Sequence, residues 1–159
     1  MKVNSTWRRL RKTFQPLADE YRDLARSDLR DIAWLVQRTA RQLAPVGSYT
    51  YVDQAGNQHP GHLRKSIKAN KVADGVWRVA VEAPYGRYVE YGTRPHVIRP
   101  KYGTVLSWID KTTGERVYAR EVHHPGTAPR PFWTPAVQIG RQEWKRRKRS
   151  LSKRVFRGW

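Results

Sequence analysis

The chain has 159 residues, no cysteine and a net charge of +19, from 32 Lys and Arg against 13 Asp and Glu. That length holds one domain with a modest core, and the missing cysteines exclude disulfides, thiolate zinc sites and cysteine nucleophiles. Hydrophobic residues make up 38%, below the roughly 45–50% of an ordinary globular chain, so part of the stability is expected to come from partners.

The basic stretch Met1 to Phe14 is not followed by an uninterrupted apolar core, so it does not read as a signal peptide. No apolar run approaches the roughly 18–20 residues that span a bilayer, and no membrane partner is expected. From Pro16 to Ala44 the pattern is helical: Leu17, Tyr21, Leu24, Ala25, Ile32, Leu35, Val36, Thr39 and Leu43 recur at steps of three and four. Pro16 suits a first helical position, and Asp19, Glu20 and Asp23 complement the positive end of the helix dipole. Pro45 and Gly47 end the helix, which at 1.5 Å per residue is about 40 Å long. Two residues break the pattern. Asp28 sits within the apolar stripe and needs a partner, for which a nearby Arg is the simplest choice, while Trp34 projects from the polar face.

Val46 to Pro60 is rich in Gly, Ser, Asn, Gln and Asp and reads as a loop. His62 to Ala69 is either a short helix or the start of a strand. Val76 to Glu82 alternates strictly, with Trp77, Val79 and Val81 on one side and Arg78 and Glu82 on the other, after an Asp74-Gly75 turn. Tyr85 to Tyr91 is aromatic, and a strand is expected from His96 to Arg99. Val105 to Ile109 and Arg116 to Arg120 read as two arms of a hairpin across Asp110 to Gly114. His124 to Pro131 holds three prolines and cannot be regular, because each removes a donor and fixes φ. Phe132 to about Arg149 is expected to be helical. The tail from Arg141 to Trp159 carries nine Lys or Arg against the single acid Glu143.

Four segments in this order resemble a family of phage head–tail joining proteins, known as neck, tail-completion or minor tail components. They are Ala44-Pro-Val-Gly47, Gly61-His-Leu-Arg-Lys-Ser-Ile67, Tyr85-Gly-Arg-Tyr-Val-Glu-Tyr-Gly-Thr93 and Ala128-Pro-Arg-Pro-Phe-Trp-Thr-Pro-Ala136. The chain departs from the pattern in an insertion, Ser48 to Pro60, and in its basic termini. The resemblance implies an α+β fold: a long N-terminal helix and a C-terminal helix on a small antiparallel sheet. Residues 1–15 would form a basic arm, 16–141 the joining domain and 142–159 a basic C-terminal tail. It further implies a virion component assembled in the host cytoplasm: a closed ring of this chain, hexamer or dodecamer. Its partners would be head-side connector or adaptor proteins, the tail terminator or tube protein, and DNA passing non-specifically through the channel.

Candidate contact residues follow from weighing each feature against a plain structural role. In the Tyr85–Thr93 segment, Tyr88 and Val89 pack on the sheet with Glu90 in a local ion pair, or Arg87 and Glu90 reach a neighbouring subunit and fix its register. Tyr91 and Thr93 belong to the same candidate interface, with Gly92 serving the turn. Arg130 and Trp133 either strap Phe132 into the core or dock on the next subunit. Trp34 is a candidate subunit contact, since a large aromatic on a polar face is typical of hot spots. Lys145, Arg146, Arg147, Lys148, Arg149, Lys153 and Arg154, interleaved with aromatics, are candidates for DNA or an acidic protein. The alternative function is therefore that of a basic DNA-binding accessory protein.

No enzyme is expected. There is no Gly-x-Ser-x-Gly and no phosphate-cradling glycine loop. His59 and His62, or His123 and His124, do not assemble the three or four ligands a zinc site needs, so no metal and no cofactor is assigned.

Overall fold

The computed structural model describes residues 5–46, 51–52, 58–59, 61–110, 112–155 and 157. The elements in chain order are α1 (Ser5–Leu43), β1 (Tyr51–Val52), β2 (Gln58–His59), α2 (His62–Lys65), β3 (Ile67–Ala73) and β4 (Val76–Val81). They continue with α3 (Gly86–Tyr91), β5 (His96–Ile98), β6 (Leu106–Ile109), β7 (Arg116–Ala119), β8 (Val122–His124) and α4 (Trp133–Val155). The fold class is α+β, as the sequence implies. The strands form four separate two-stranded antiparallel ladders, β1–β2, β3–β4, β5–β8 and β6–β7, rather than one sheet. Most of the Val46–Pro60 stretch lies outside the described residues.

The chain divides into two compact units: Met1–Gly86 with Pro131–Trp159, and Arg87–Arg130. The first is built on α1 and α4. Helix α1 starts at Ser5, eleven residues before the expected start, and carries Pro16 in its interior. Pro16 removes one donor, the one that would reach the Lys12 carbonyl. The Arg- and Lys-rich turns before it are good helix formers and continue the helix through that single loss.

Along α1 the buried positions are Ala33, Val36, Gln37, Ala40 and Ala44, whereas Leu43 is 45% exposed. The seam is thus rotated by about one residue from the stripe of large apolar residues. Its cause is on α4, where Gly140 is buried: a Cβ there would lie 2.3 Å from Val36 Cγ2. Small residues on both helices let the backbones approach, and the larger Leu35 and Leu43 move to the flanks. Gly140 lies beside Ile32 and Val36, and Arg147 bonds Asp28 and Asp31, so the helices run antiparallel. Helix α4 starts where Pro135 can occupy the first turn, whose donors have no intrahelical acceptor. It holds Ala136, Leu151 and Val155 buried, and Phe132 just before it is 1% exposed. That burial is the core role allowed for the Arg130–Trp133 strap.

The β3–β4 hairpin pairs Ile67 with Val81 through Ala73 with Val76, across Asp74 and a left-handed Gly75. The segment from His62 to Ala69 is both of the expected things in succession, a helical turn and then a strand. Arg26 clasps Asp74 in the hairpin turn, tying α1 to it.

The second unit, taken by itself, is made of short ladders. The β6–β7 hairpin has the expected arms and turn, pairing Leu106 with Ala119 through Ile109 with Arg116. In the turn, Asp110 accepts the Thr112 N–H at 2.7 Å; these backbone donors hold its carboxyl below the usual range. The adjacent histidines split as an extended chain requires, with His124 opposite His96 and His123 opposite Val97. Backbone bonds also join Thr93 and Thr127 in both directions, at 3.0 and 3.1 Å. Gly92 permits this approach: its φ is 71°, and a Cβ there would stand 2.3 Å from the Thr127 carbonyl oxygen.

Candidate functional site

Three surfaces carry the candidate residues. The first lies in the unit of α1 and α4. One face of α1 presents Trp34, Arg38 and Arg41 at steps of four and three, which places them in a row. The turn α2 brings Arg64 and Lys65 beside them, and together they line an open groove of about 1150 Å³. Trp34 is 57% exposed. Two of the cations are held by neutral acceptors. Arg41 donates from Nε and Nη2 to the Ile67 carbonyl at 3.0 and 2.8 Å, and Arg64 Nε donates to the Ala44 carbonyl at 2.9 Å. The latter bond also satisfies a carbonyl at the end of α1.

At the other end of the groove stands the polar node between the helices. Arg147 donates to Asp28 at 2.9 Å, to Asp31 at 3.4 Å and to Glu143 at 2.8 Å. Asp28 therefore has the Arg partner that its place in the apolar stripe demanded. Hydrogen bonds from Arg146 and Arg147 lower the Glu143 carboxyl to about 2, and Arg147 is raised above its ordinary value by Glu143 and Asp28.

The second surface is α3 with the residues that follow it. Tyr88 and Tyr91 are 50% and 74% exposed, while Glu90 is buried within its own chain. Arg87 is exposed and lies 5.2 Å from the Tyr88 ring centroid, a cation–π distance. The Arg130 N–H donates to the Val89 carbonyl at 2.8 Å, pinning the end of α3 while the Arg130 side chain is exposed. The Thr93 hydroxyl is buried and has no hydrogen-bond partner among the described residues. Trp133, in the other unit, is half-buried.

The third surface is the outer face of α4. Lys145, Arg146, Lys148, Arg149, Lys153 and Arg154 are exposed, and Arg147 is half-buried. Arg146 is engaged by Glu143 at 2.6 Å. The other five exposed cations make no ion pair among the described residues. Sequence pattern alone marks Trp34 but not the four cations around it. The spacing of Trp34, Arg38 and Arg41 is a visible signal; Arg64 and Lys65 arrive only through the fold.

The first two surfaces combine exposed aromatic and charged side chains, and the third is a face of cations. A family model described as "Bacteriophage HK97-gp10, putative tail-component" matches residues 8–92, a span of more than half the chain. The chain belongs to this HK97 gp10-like family and is a structural, tail-related bacteriophage component. No curated protein and no solved structure matches it. The match takes in α1, α2, the β3–β4 hairpin and α3, and ends at Gly92. Among the described residues, no helix is long and apolar enough to cross a membrane.

Proposed function

We propose that this tail component acts at the head–tail junction, as one subunit of a ring between the connector of the DNA-filled capsid and the tail tube. A protein that makes one heterologous contact repeatedly closes into a cyclic oligomer when the rotation allows it. The ring would be a hexamer or a dodecamer. The observation that carries the reading is the α3 segment, where Tyr88 and Tyr91 stand exposed beside Arg87 on a turn pinned from behind. Rigid aromatics with a neighbouring Arg are the composition of interface hot spots.

In this reading Arg87, Tyr88 and Tyr91 meet the neighbouring subunit, with Arg130 and Trp133 as further contacts. Glu90 and Thr93 act from beneath by shaping the end of α3. Trp34 anchors a second contact. Head-side connector and tail-side proteins bind the two faces of the ring. Electron microscopy of particles assembled with and without the protein tests this. Its absence should leave heads and tails unjoined, and complete joined particles in both preparations would refute the reading.

A second reading rests on α4. Five exposed cations that make no ion pair among the described residues form a stripe that fits a phosphate backbone, either in the channel or as the whole function of a DNA-binding accessory protein. In the second case affinity for DNA should be tight and fall steeply with salt. Reversing Lys145, Lys148 and Lys153 to Glu should reduce the salt slope by about one for each phosphate that is no longer neutralised. A slope unchanged by these substitutions would remove this reading.

A further inference from the structure

We infer that the groove around Trp34 receives an acidic, apolar-tipped segment of a different protein, rather than a second copy of this chain. The inference builds on the tail-component reading, in which the neighbours are other phage proteins, and narrows it. Trp34 passes from a copy-to-copy contact to a contact with a partner of defined chemistry.

The charge pattern carries the argument. At the α2 end of the groove stand Arg38, Arg41, Arg64 and Lys65. Arg41 and Arg64 are held by carbonyl oxygens, so their positions are set while their charge is uncompensated. Arg38 and Lys65 are part of no ion pair among the described residues. The carboxylates at the far end, Asp28, Asp31 and Glu143, are already engaged by Arg146 and Arg147 and do not neutralise the near end. Between the two ends lies an exposed indole. The groove therefore offers one apolar contact flanked by prepositioned positive charge. Binding there costs little further ordering of Arg41 and Arg64.

A second copy is a poor occupant. Among its described carboxylates, Asp19, Asp23, Asp28, Asp31, Asp74, Glu82, Glu121 and Glu143 are paired within the chain. Glu90 is buried and Asp110 accepts from its own turn. That leaves Glu20 and Glu115, on separate segments of the chain, to face a groove of four cations. Duplex DNA is a poorer fit than protein, since it offers phosphates but no apolar group for the indole. An amphipathic helix or turn with Glu or Asp beside a Leu or aromatic satisfies both demands, in the manner of helix-in-groove recognition. Opposite charge across the contact would set orientation and association rate.

The test uses the full chain and a fluorescein-labelled helical peptide of Glu with Leu at i, i+4 and i+7. A scrambled peptide of the same composition and a 20-base-pair duplex serve as alternatives. Trp34, Arg38 and Lys65 are exposed, and circular dichroism verifies that their variants fold. Trp34→Ala, and separately Arg38→Glu with Lys65→Glu, should each weaken peptide binding about tenfold or more. Lys148→Glu with Lys153→Glu, the same charge change on α4, should leave it within about twofold, and the scrambled peptide should bind more weakly.

Four results would overturn the inference. They are no peptide binding up to millimolar concentration, binding indifferent to the groove variants, duplex DNA displacing the peptide and losing affinity in the same variants, and loss of self-association in Trp34→Ala. Failure of the ring is separable. A chain that closes into rings but binds peptide regardless of Trp34 contradicts the groove alone. A chain that binds peptide through Trp34 but never closes contradicts the ring alone.

Discussion

The two compact units differ in where their apolar side chains go. In the unit of α1 and α4 every buried apolar residue of the described chain is found: Val36, Leu63, Ile67, Phe132, Leu151, Val155 and a set of alanines. Among the described residues of Arg87–Arg130 the one buried side chain is a carboxylate, Glu90, while Tyr88, Tyr91, Tyr102, Trp108, Ile109 and Tyr118 are exposed. Two-stranded ladders are marginal on their own. The first unit has the contents of a self-sufficient fold, and the second has the contents of a surface. In the ring reading proposed above this is a division of labour: one part holds shape, and the other offers aromatic area to neighbours.

Substitutions that separate core from display sharpen this contrast. The largest effect is expected from Phe132→Ala, which removes the largest fully buried side chain of the first unit and should cost about 3–5 kcal/mol in denaturant unfolding. Gly140→Val comes next. Its side chain must displace Val36, and a loss of about 1–3 kcal/mol is expected. If either substitution proved neutral, the α1–α4 seam would not be the source of stability.

Arg147→Ala removes the shared partner of Asp28, Asp31 and Glu143. The node is partly open to water, which discounts the loss to about 1–2 kcal/mol, measurable by the same unfolding curves. The node also gives acid unfolding a direction. Glu143 has a folded value of about 2 against an ordinary 4.5. Its contribution is fully present above pH 4.5 and is lost as pH falls toward 2. Thermal unfolding followed across that window should show the loss, and Arg147→Ala should reduce it in part, since Arg146 is the larger cause of the lowered value. An unchanged slope would show that the node is not coupled to folding.

The smallest effect on stability belongs to the second unit. Tyr91→Ser and Tyr118→Ser should change the unfolding free energy by no more than about 0.5 kcal/mol. In the ring reading, Tyr91→Ser should nonetheless reduce the yield of joined particles. A large drop in stability would mean that the exposed aromatics serve the fold after all.

Much of the fold is legible along the chain because its signals are local. The β6–β7 arms follow from the Asp110–Gly114 turn, and the β3–β4 hairpin from Asp74-Gly75 and the alternation around Trp77. The need for an Arg at Asp28 follows from a single carboxylate among apolar neighbours. What escaped is set by tertiary contact. Pro16 looks like a boundary because one missing donor resembles a stop, yet a long helix tolerates it. Large residues such as Leu35 and Leu43 draw the eye as the seam. Gly140 instead meets Val36 and Ile32, and the other buried apolar positions of α1, Ala33, Ala40 and Ala44, carry little hydrophobic signal. The groove is half visible in the sequence, since Trp34 stands out on a polar face, while Arg64 and Lys65 reach it from a turn more than twenty residues away.

Amide hydrogen exchange on the free chain and on assembled particles tests the division of labour most directly. In the free chain the α1–α4 seam should be protected and residues 87–130 should exchange readily. In the particle the segment from Arg87 to Thr93 should slow by about tenfold or more. Equal exchange of that segment in the two states would contradict the account.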